Sequence, residues 1–339
     1  MSLNVIWYIL FLVVVAGYLI LDGFDLGVGA LHPFAAKSDL ERRIVLNSIG
    51  PVWDGNEVWL ILAGGVLFAA FPFVYASLFS GFYVAFMLVL LCLILRAVAI
   101  EFRSKRPMPR WRSAWDWVFF LTSAGLSLLL GVALGNILLG LPLDQQGNIT
   151  LSLVDLLSPY ALLIGVTTLV MLAMHGAIYL TLKTEDALCD RILGWLPRMM
   201  IAFLVLDLLV ALTTLVLGLP LVTAYLSQPW LAIFPIGALV AFALTWRFIR
   251  QARYFNAFWA SSAVIALTVF SGAAGMFPNL LISTTNPAYN LTIYNAASQP
   301  NTLTVMLIIA LIGLPFVLLY TAGVYYIFRG KVKIESESY

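Results

Sequence analysis

Carboxylates at Asp22 and Asp25, Asp54 and Glu57, Glu101 and Asp116 lie in or beside segments that are otherwise apolar. The first two pairs are each spaced three apart, which places both members on one helix face. Arg96 falls inside an apolar run and is the natural counter-ion. Ionisable groups at such depth are costly and usually face a bundle interior, a partner or water. The chemistry such groups can do is proton transfer. Asp54 suits it best. Pro51 fits a first helical turn, so Asp54 lies at the positive end of the helix dipole, which favours its anion. Trp53, Gly55, Asn56 and Trp59 surround it with polar and aromatic groups. An acid there can take protons from the membrane face and pass them inward through ordered water, supported by Trp53, Asn56 and Glu57. The competing reading of the same set is interfacial anchoring and helix-end capping. Asp39, Glu41, Glu185, Asp186, Asp190, Glu335 and Glu337 read as solvated loop charge, as do Asp144 and Asp155 on the opposite side.

The second half is poorer in such groups. His175 and Asp207 each fall roughly 12–13 Å from the inner ends of consecutive segments, so a buried His175–Asp207 hydrogen bond is expected. Haem ligation by His175 is the alternative, because a haem needs a His, Cys, Met or Tyr ligand. With 2 histidines, the other being His32 beside Pro33, the chain is poorly equipped to hold several haems. No metal-ligand motif is present, and Cys92 and Cys189 are too few for a disulfide framework. Gly23-xxx-Gly27 and Gly64-Gly65 predict close helix packing. GFDLGVG lacks the strand–turn–helix context of a dinucleotide loop.

The elements that must hold these residues follow from composition. The chain has 339 residues, 63% hydrophobic and 10% charged. A soluble domain has about 25% charged residues, so a soluble enzyme and a disordered chain are excluded. Apolar segments long enough to span a bilayer fall at about 5–24, 52–72, 79–100, 116–140, 158–182, 198–220, 229–249, 257–279 and 303–328. All 18 Lys and Arg residues fall in or beside alternate loops and the tail. By the positive-inside rule the N-terminus is outside and the C-terminus cytoplasmic. The expected fold is an all-α polytopic membrane protein of nine transmembrane helices. It forms one integral membrane domain, with a first bundle about 1–140, a second about 158–279 and a final span about 303–328.

LDGFDLGVGAL (21–31), NSIGPVWDGNEVWLILAGGVLFAAFP (47–72) and LRAVAIEFRSK (95–105), with NLTIYNAASQPNTL (290–303) and FRGKV (328–332), resemble subunit II of the cytochrome bd-type quinol oxidases. The resemblance implies two four-helix bundles plus one peripheral helix, and a heterodimer with a subunit I in a bacterial cytoplasmic membrane. It implies that subunit I carries the b-type and d-type haems and the quinol site, where quinol is oxidised and dioxygen reduced to water with cytoplasmic protons. It assigns Trp53, Asp54 and Gly55 to the proton route, and associates Asp25, Arg96 and Asp116 with haem environment or assembly. Some relatives hold a structural quinone, ubiquinone or menaquinone, in this subunit, and small accessory subunits can join the complex. One departure is Gly323, where many relatives carry tryptophan. Nucleic acid is not an expected partner. The alternatives are a proton- or cation-coupled transporter or channel, and a purely structural membrane subunit. Co-purified haem in the visible spectrum favours the oxidase, and a colourless, transport-active chain the transporter. A haem-loaded complex indifferent to mutation of every span acid favours the structural subunit.

Overall fold

The structure is a computed structural model that describes residues 2–334; Glu335 and Glu337 lie outside the described residues. The helices are α1 (Leu3–Ala35), α2 (Asp39–Ile49), α3 (Trp53–Ala70), α4 (Pro72–Gly81), α5 (Tyr83–Phe102), α6 (Pro109–Leu139), α7 (Pro159–Lys183), α8 (Asp186–Val216), α9 (Pro220–Ser227), α10 (Ile233–Arg250), α11 (Tyr254–Met276) and α12 (Pro300–Ile327). A short antiparallel hairpin, β1 (Asn279–Leu281) with β2 (Leu291–Thr292), is inserted before α12. Prolines open α4, α6, α7, α9 and α12, where the missing N–H has no partner to lose.

Among the described residues, 8 helices are long and apolar enough to cross a membrane: α1, α5, α6, α7, α8, α10, α11 and α12. The second expected segment is α3. Its first turn carries Asp54, Asn56 and Glu57, which lower its hydropathy. The chain then breaks at Phe71 and restarts as α4 at Pro72.

Helix α1 is the hub. It packs against α3, α6, α7 and α11. The expected first segment ended near residue 24, but α1 continues to Ala35, because residues 23–31, small or apolar apart from Asp25, are buried against neighbouring helices. Asp22 and Asp25 are therefore inside a helix rather than at its end. Gly27 and Gly176 face each other where α1 crosses α7. A methyl group on Gly27 would collide with the Leu172 carbonyl oxygen and lie 3.0 Å from Gly176 Cα. The Gly64-Gly65 expectation fails within this chain: nothing lies within 4 Å of a Cβ built at either. That side of α3 faces away from the other helices.

The segment after α1, expected as loop, folds as α2. Ser38 Oγ accepts from Glu41 N, and the Glu41 carboxylate accepts from Ser38 N, forming a capping box. Helix α3 starts at Trp53, so Pro51 lies in the preceding turn rather than in the helix.

Helix α12 buries little and is held chiefly near its ends. At one end Trp7 Nε1 donates to Leu303 O at 3.0 Å. At the other, Lys331 Nζ donates to Thr181 O and Thr184 O at 2.9 and 2.6 Å, and Lys183 Nζ to Phe328 O at 2.6 Å. Lys331 thus places a cation on the negative end of the α7 dipole.

Candidate proton-handling site

The face of α1 that carries Asp22 and Asp25 meets the first turn of α3, the C-terminal half of α5 at Arg96 and the last turns of α12. Arg96 on α5 is fully buried, as is Asp22, and Arg96 Nη2 donates to Asp22 Oδ1 at 2.6 Å. Arg96 Nη1 reaches Glu57 Oε2 at 3.4 Å, and Glu57 is 22% exposed. Asn56 Nδ2 donates to Asp25 Oδ2 at 2.8 Å, and both residues are buried. Tyr325 Oη on α12 donates to Asn56 Oδ1 at 2.7 Å. One oxygen of Asp22 and one of Asp25 have no hydrogen-bond partner. Asp22, Asp25 and Glu57 thus surround one guanidinium. Like charges sharing a site disfavour full ionisation, so the cluster is suited to holding and releasing a proton.

Asp54 is one turn from Glu57 but exposed, on the side of α3 that also shows Val58, Ile61, Leu62, Gly65 and Phe68. Trp53 is half-buried and packs against the main core.

Asp116 does not join this cluster. Expected to share Arg96, it instead accepts from Arg103 Nε at 2.5 Å and Arg42 Nη1 at 2.7 Å, and pairs with His32 Nε2 at 2.6 Å. Arg103 and Arg112 also bind Asp39, at 2.9 and 2.6 Å. The physical reason is α1's extra length, which carries His32 onto α6, while α2 brings in Arg42 and Asp39. Glu101 is half-buried in the last turn of α5.

The expected His175–Asp207 bond does not form. His175 Nδ1 bonds Ser261 Oγ at 2.7 Å and Nε2 bonds Ile20 O at 3.1 Å. Its ring stacks on Phe258, with centroids 4.8 Å apart. Adjacency of α7 and α8 in the chain gave the right helix pair but the wrong height: α8 begins at Asp186, so Asp207 lies 21 residues from the end of α8 that adjoins α7, whereas His175 lies 8 residues from Lys183 and turns toward α1 and α11. Asp207 lines a separate apolar cavity of about 240 Å³, with Tyr8, Phe11, Leu134, Thr168 and Phe203 among its walls. Neither histidine lines that cavity. With both His175 nitrogens bonded and His32 bound into an ion cluster, this chain's histidines do not fit a haem. Among the described residues, no group of three or more His, Cys, Asp and Glu is placed to hold a metal ion.

Outside the spans, Glu41 joins α2 to the start of α8. Arg191 reaches its carboxylate at 3.1 and 3.2 Å and also the Ala35 carbonyl. Burial pushes the Glu41 carboxyl up, but Arg191 and the N–H groups of Lys37 and Ser38 outweigh it and hold the group below its ordinary range.

Sequence reasoning missed Tyr325, Arg103, Arg42 and the role of His32. The signal for α2, and so for Arg42, was present: Ser38-x-x-Glu41 is a capping box.

A polytopic helical membrane protein with buried ion clusters is the class defined by this fold and site. Residues 3–328 match the family model for cytochrome bd terminal oxidase subunit II. The chain is 39% identical to the probable cytochrome oxidase subunit 2 of Haemophilus influenzae, over 95% of this chain and 93% of that one. It is 37% identical to the cytochrome bd ubiquinol oxidase subunit 2 of Bacillus subtilis, over 98% and 97%. With the cytochrome bd-I ubiquinol oxidase subunit 2 of Escherichia coli it shares 38% identity, over 98% and 96%. In fold it is similar to a chain of the bd oxidase from Geobacillus thermodenitrificans, with TM-score 0.80 at 18% identity over 97% and 99%. The chain belongs to the cytochrome bd terminal oxidase subunit II family. It is one subunit of a membrane-embedded oxidase, the partner of a subunit I.

Proposed function

We propose that this chain supports subunit I of a quinol:dioxygen oxidoreductase and conducts protons from the cytoplasm toward the site of oxygen reduction. The observation that carries the proton role is the buried cluster of Asp22, Asp25 and Glu57 around Arg96, entered from exposed Asp54 one turn away. Asp54 accepts the proton, Glu57 and Asn56 link it inward, and Asp25 holds it at the buried end. Asp116, with Arg103 and Arg42, braces α1, α2, α5 and α6 at the basic end of the molecule. Subunit I lies against the uncovered side of α3, so that Asp54 stands between the cytoplasm and the subunit interface.

Nine spans, counting α3 with the eight more apolar helices, put the N-terminus outside and the basic end in the cytoplasm. The ion pairs of Arg42, Arg103, Arg112 and Arg191 at one end support that orientation. The two-bundle division joins at α1, α6 and α7. The haems reside in subunit I. The cavity bounded by Tyr8, Phe11, Leu134 and Phe203 suits the hydrocarbon chain of a structural quinone, since its walls are mostly apolar.

The test is oxygen consumption by purified two-subunit complex carrying Asp54→Asn. Turnover per haem is expected to fall by roughly 10²-fold or more, the scale of losing a proton-transfer group, with haem content retained. Wild-type turnover in a fully haem-loaded variant refutes the role.

A further inference from the structure

Tyr325 is far from the carboxylates in sequence and on a helix that buries little, yet its hydroxyl reaches the inner cluster. Its ring meets Phe24 edge-on, with centroids 6.4 Å apart. Six residues on, Lys331 is fastened to the end of α7, which fixes the height of Tyr325 against α3. Its hydroxyl donates to Asn56 Oδ1, and the other end of the same amide donates to Asp25.

We infer that Tyr325 is a positioning residue for proton uptake: it holds the Asn56 amide in the one orientation that offers an N–H to Asp25. This rests on the proton route proposed above.

The amide of Asn56 has two faces of opposite character. As placed, its NH₂ points at Asp25, and an N–H favours the anionic carboxylate. Turned over, its carbonyl would point at Asp25, and only a protonated carboxyl can donate to it. The flip would also turn NH₂ toward Tyr325, whose own O–H would then lose its single acceptor. An orphaned buried donor is costly, so the tyrosine biases the amide toward the present orientation. With phenylalanine at 325, either orientation leaves one end of the amide unpaired, and the preference shrinks. The charged and titratable groups around Asp25 are Asp22 on α1, Glu57 on α3, Arg96 on α5, Tyr179 on α7 and Tyr325 itself, with Tyr18 beside Asp22. Arg96 is committed to Asp22 and Glu57, and Tyr179 donates to Ser48 O at 2.7 Å. Asn56 is thus the neutral group set to adjust Asp25.

The experiment is the pH–rate profile of oxygen consumption per haem, measured on the assembled two-subunit complex. Only anionic Asp25 can accept an incoming proton, so favouring its protonated form moves the acid limb to higher pH. Tyr325→Phe, which keeps the ring against Phe24, is expected to move that limb up by about 0.5–1 pH unit. Asn56→Leu is expected to move it at least as far. The double variant should move no further than Asn56→Leu, because both act through one amide. Purely structural packing at Tyr325 predicts an unmoved profile or additive losses, and either result overturns the inference. Asp25→Asn and Asp54→Asn are measured alongside. If both turn over at the wild-type rate, the proton route fails and the inference falls with it. If they slow while Tyr325→Phe keeps the wild-type profile, only the inference fails.

Discussion

Replacing Arg96 with leucine removes the guanidinium shared by Asp22 and Glu57. Arg96 and Asp22 are both fully buried and 2.6 Å apart. Removing one partner of such a pair strands the other charge and costs about 3–5 kcal/mol. Glu57 adds less than a second full increment, since it is 3.4 Å away and 22% exposed, and can turn to water. At about 2 °C of Tm per kcal/mol for a large chain, the expected loss is about 6–10 °C. The assay is thermal unfolding of the purified complex, followed by tryptophan fluorescence. A second variant, Arg96→Leu with Asp22→Leu, replaces the pair by apolar side chains, which is often neutral or stabilising. It should recover most of the loss. A single variant within about 2 °C of wild type, below the range just derived, would refute the reasoning. So would a double variant no more stable than the single one.

Gly27→Ala should destabilise the subunit by about 1–3 kcal/mol or more, because the new methyl meets the Leu172 carbonyl and α7 must move away; a lower yield of assembled complex and a lower Tm check it. Gly64→Ala is the comparison, since its Cβ meets nothing in this chain. A loss of assembly there would instead report a surface covered by the partner. The Glu41 carboxyl is held below its ordinary range, so its contribution is complete above that range and lost as pH falls through the lowered folded value. Tm measured from about pH 6 down to pH 3 should therefore decline less steeply in Glu41→Gln than in wild type, and equal slopes would remove Glu41 from the account.

The class of fold was legible because hydrophobic runs of bilayer length need no tertiary information. The association of Asp25, Asn56, Glu57 and Arg96 was legible in part, because buried charge must find partners and few were available. Which acid took which base was not. That depends on helix rotation and on where α1 stops, and neither is visible in a uniformly apolar stretch. His175 shows the limit most plainly. The pairing assumed that α8 starts near Arg198, but α8 starts at Asp186, so Asp207 lies farther along the helix and His175 bonds Ser261 instead. Tyr325 was invisible for another reason: an aromatic near the end of the last helix reads as an interfacial anchor. Only the fold brings it to Asn56.

The Asp22–Arg96 pair joins residues 74 positions apart, and that separation has a consequence for biogenesis. At roughly 5–20 residues per second, the base emerges about 4–15 s after the acid. During that interval α1 carries Asp22 without the guanidinium that it pairs with in the fold. The buried Asp22–Arg96 pair therefore cannot form until α5 has been made, and the inner part of α1 reaches its final environment only together with α5.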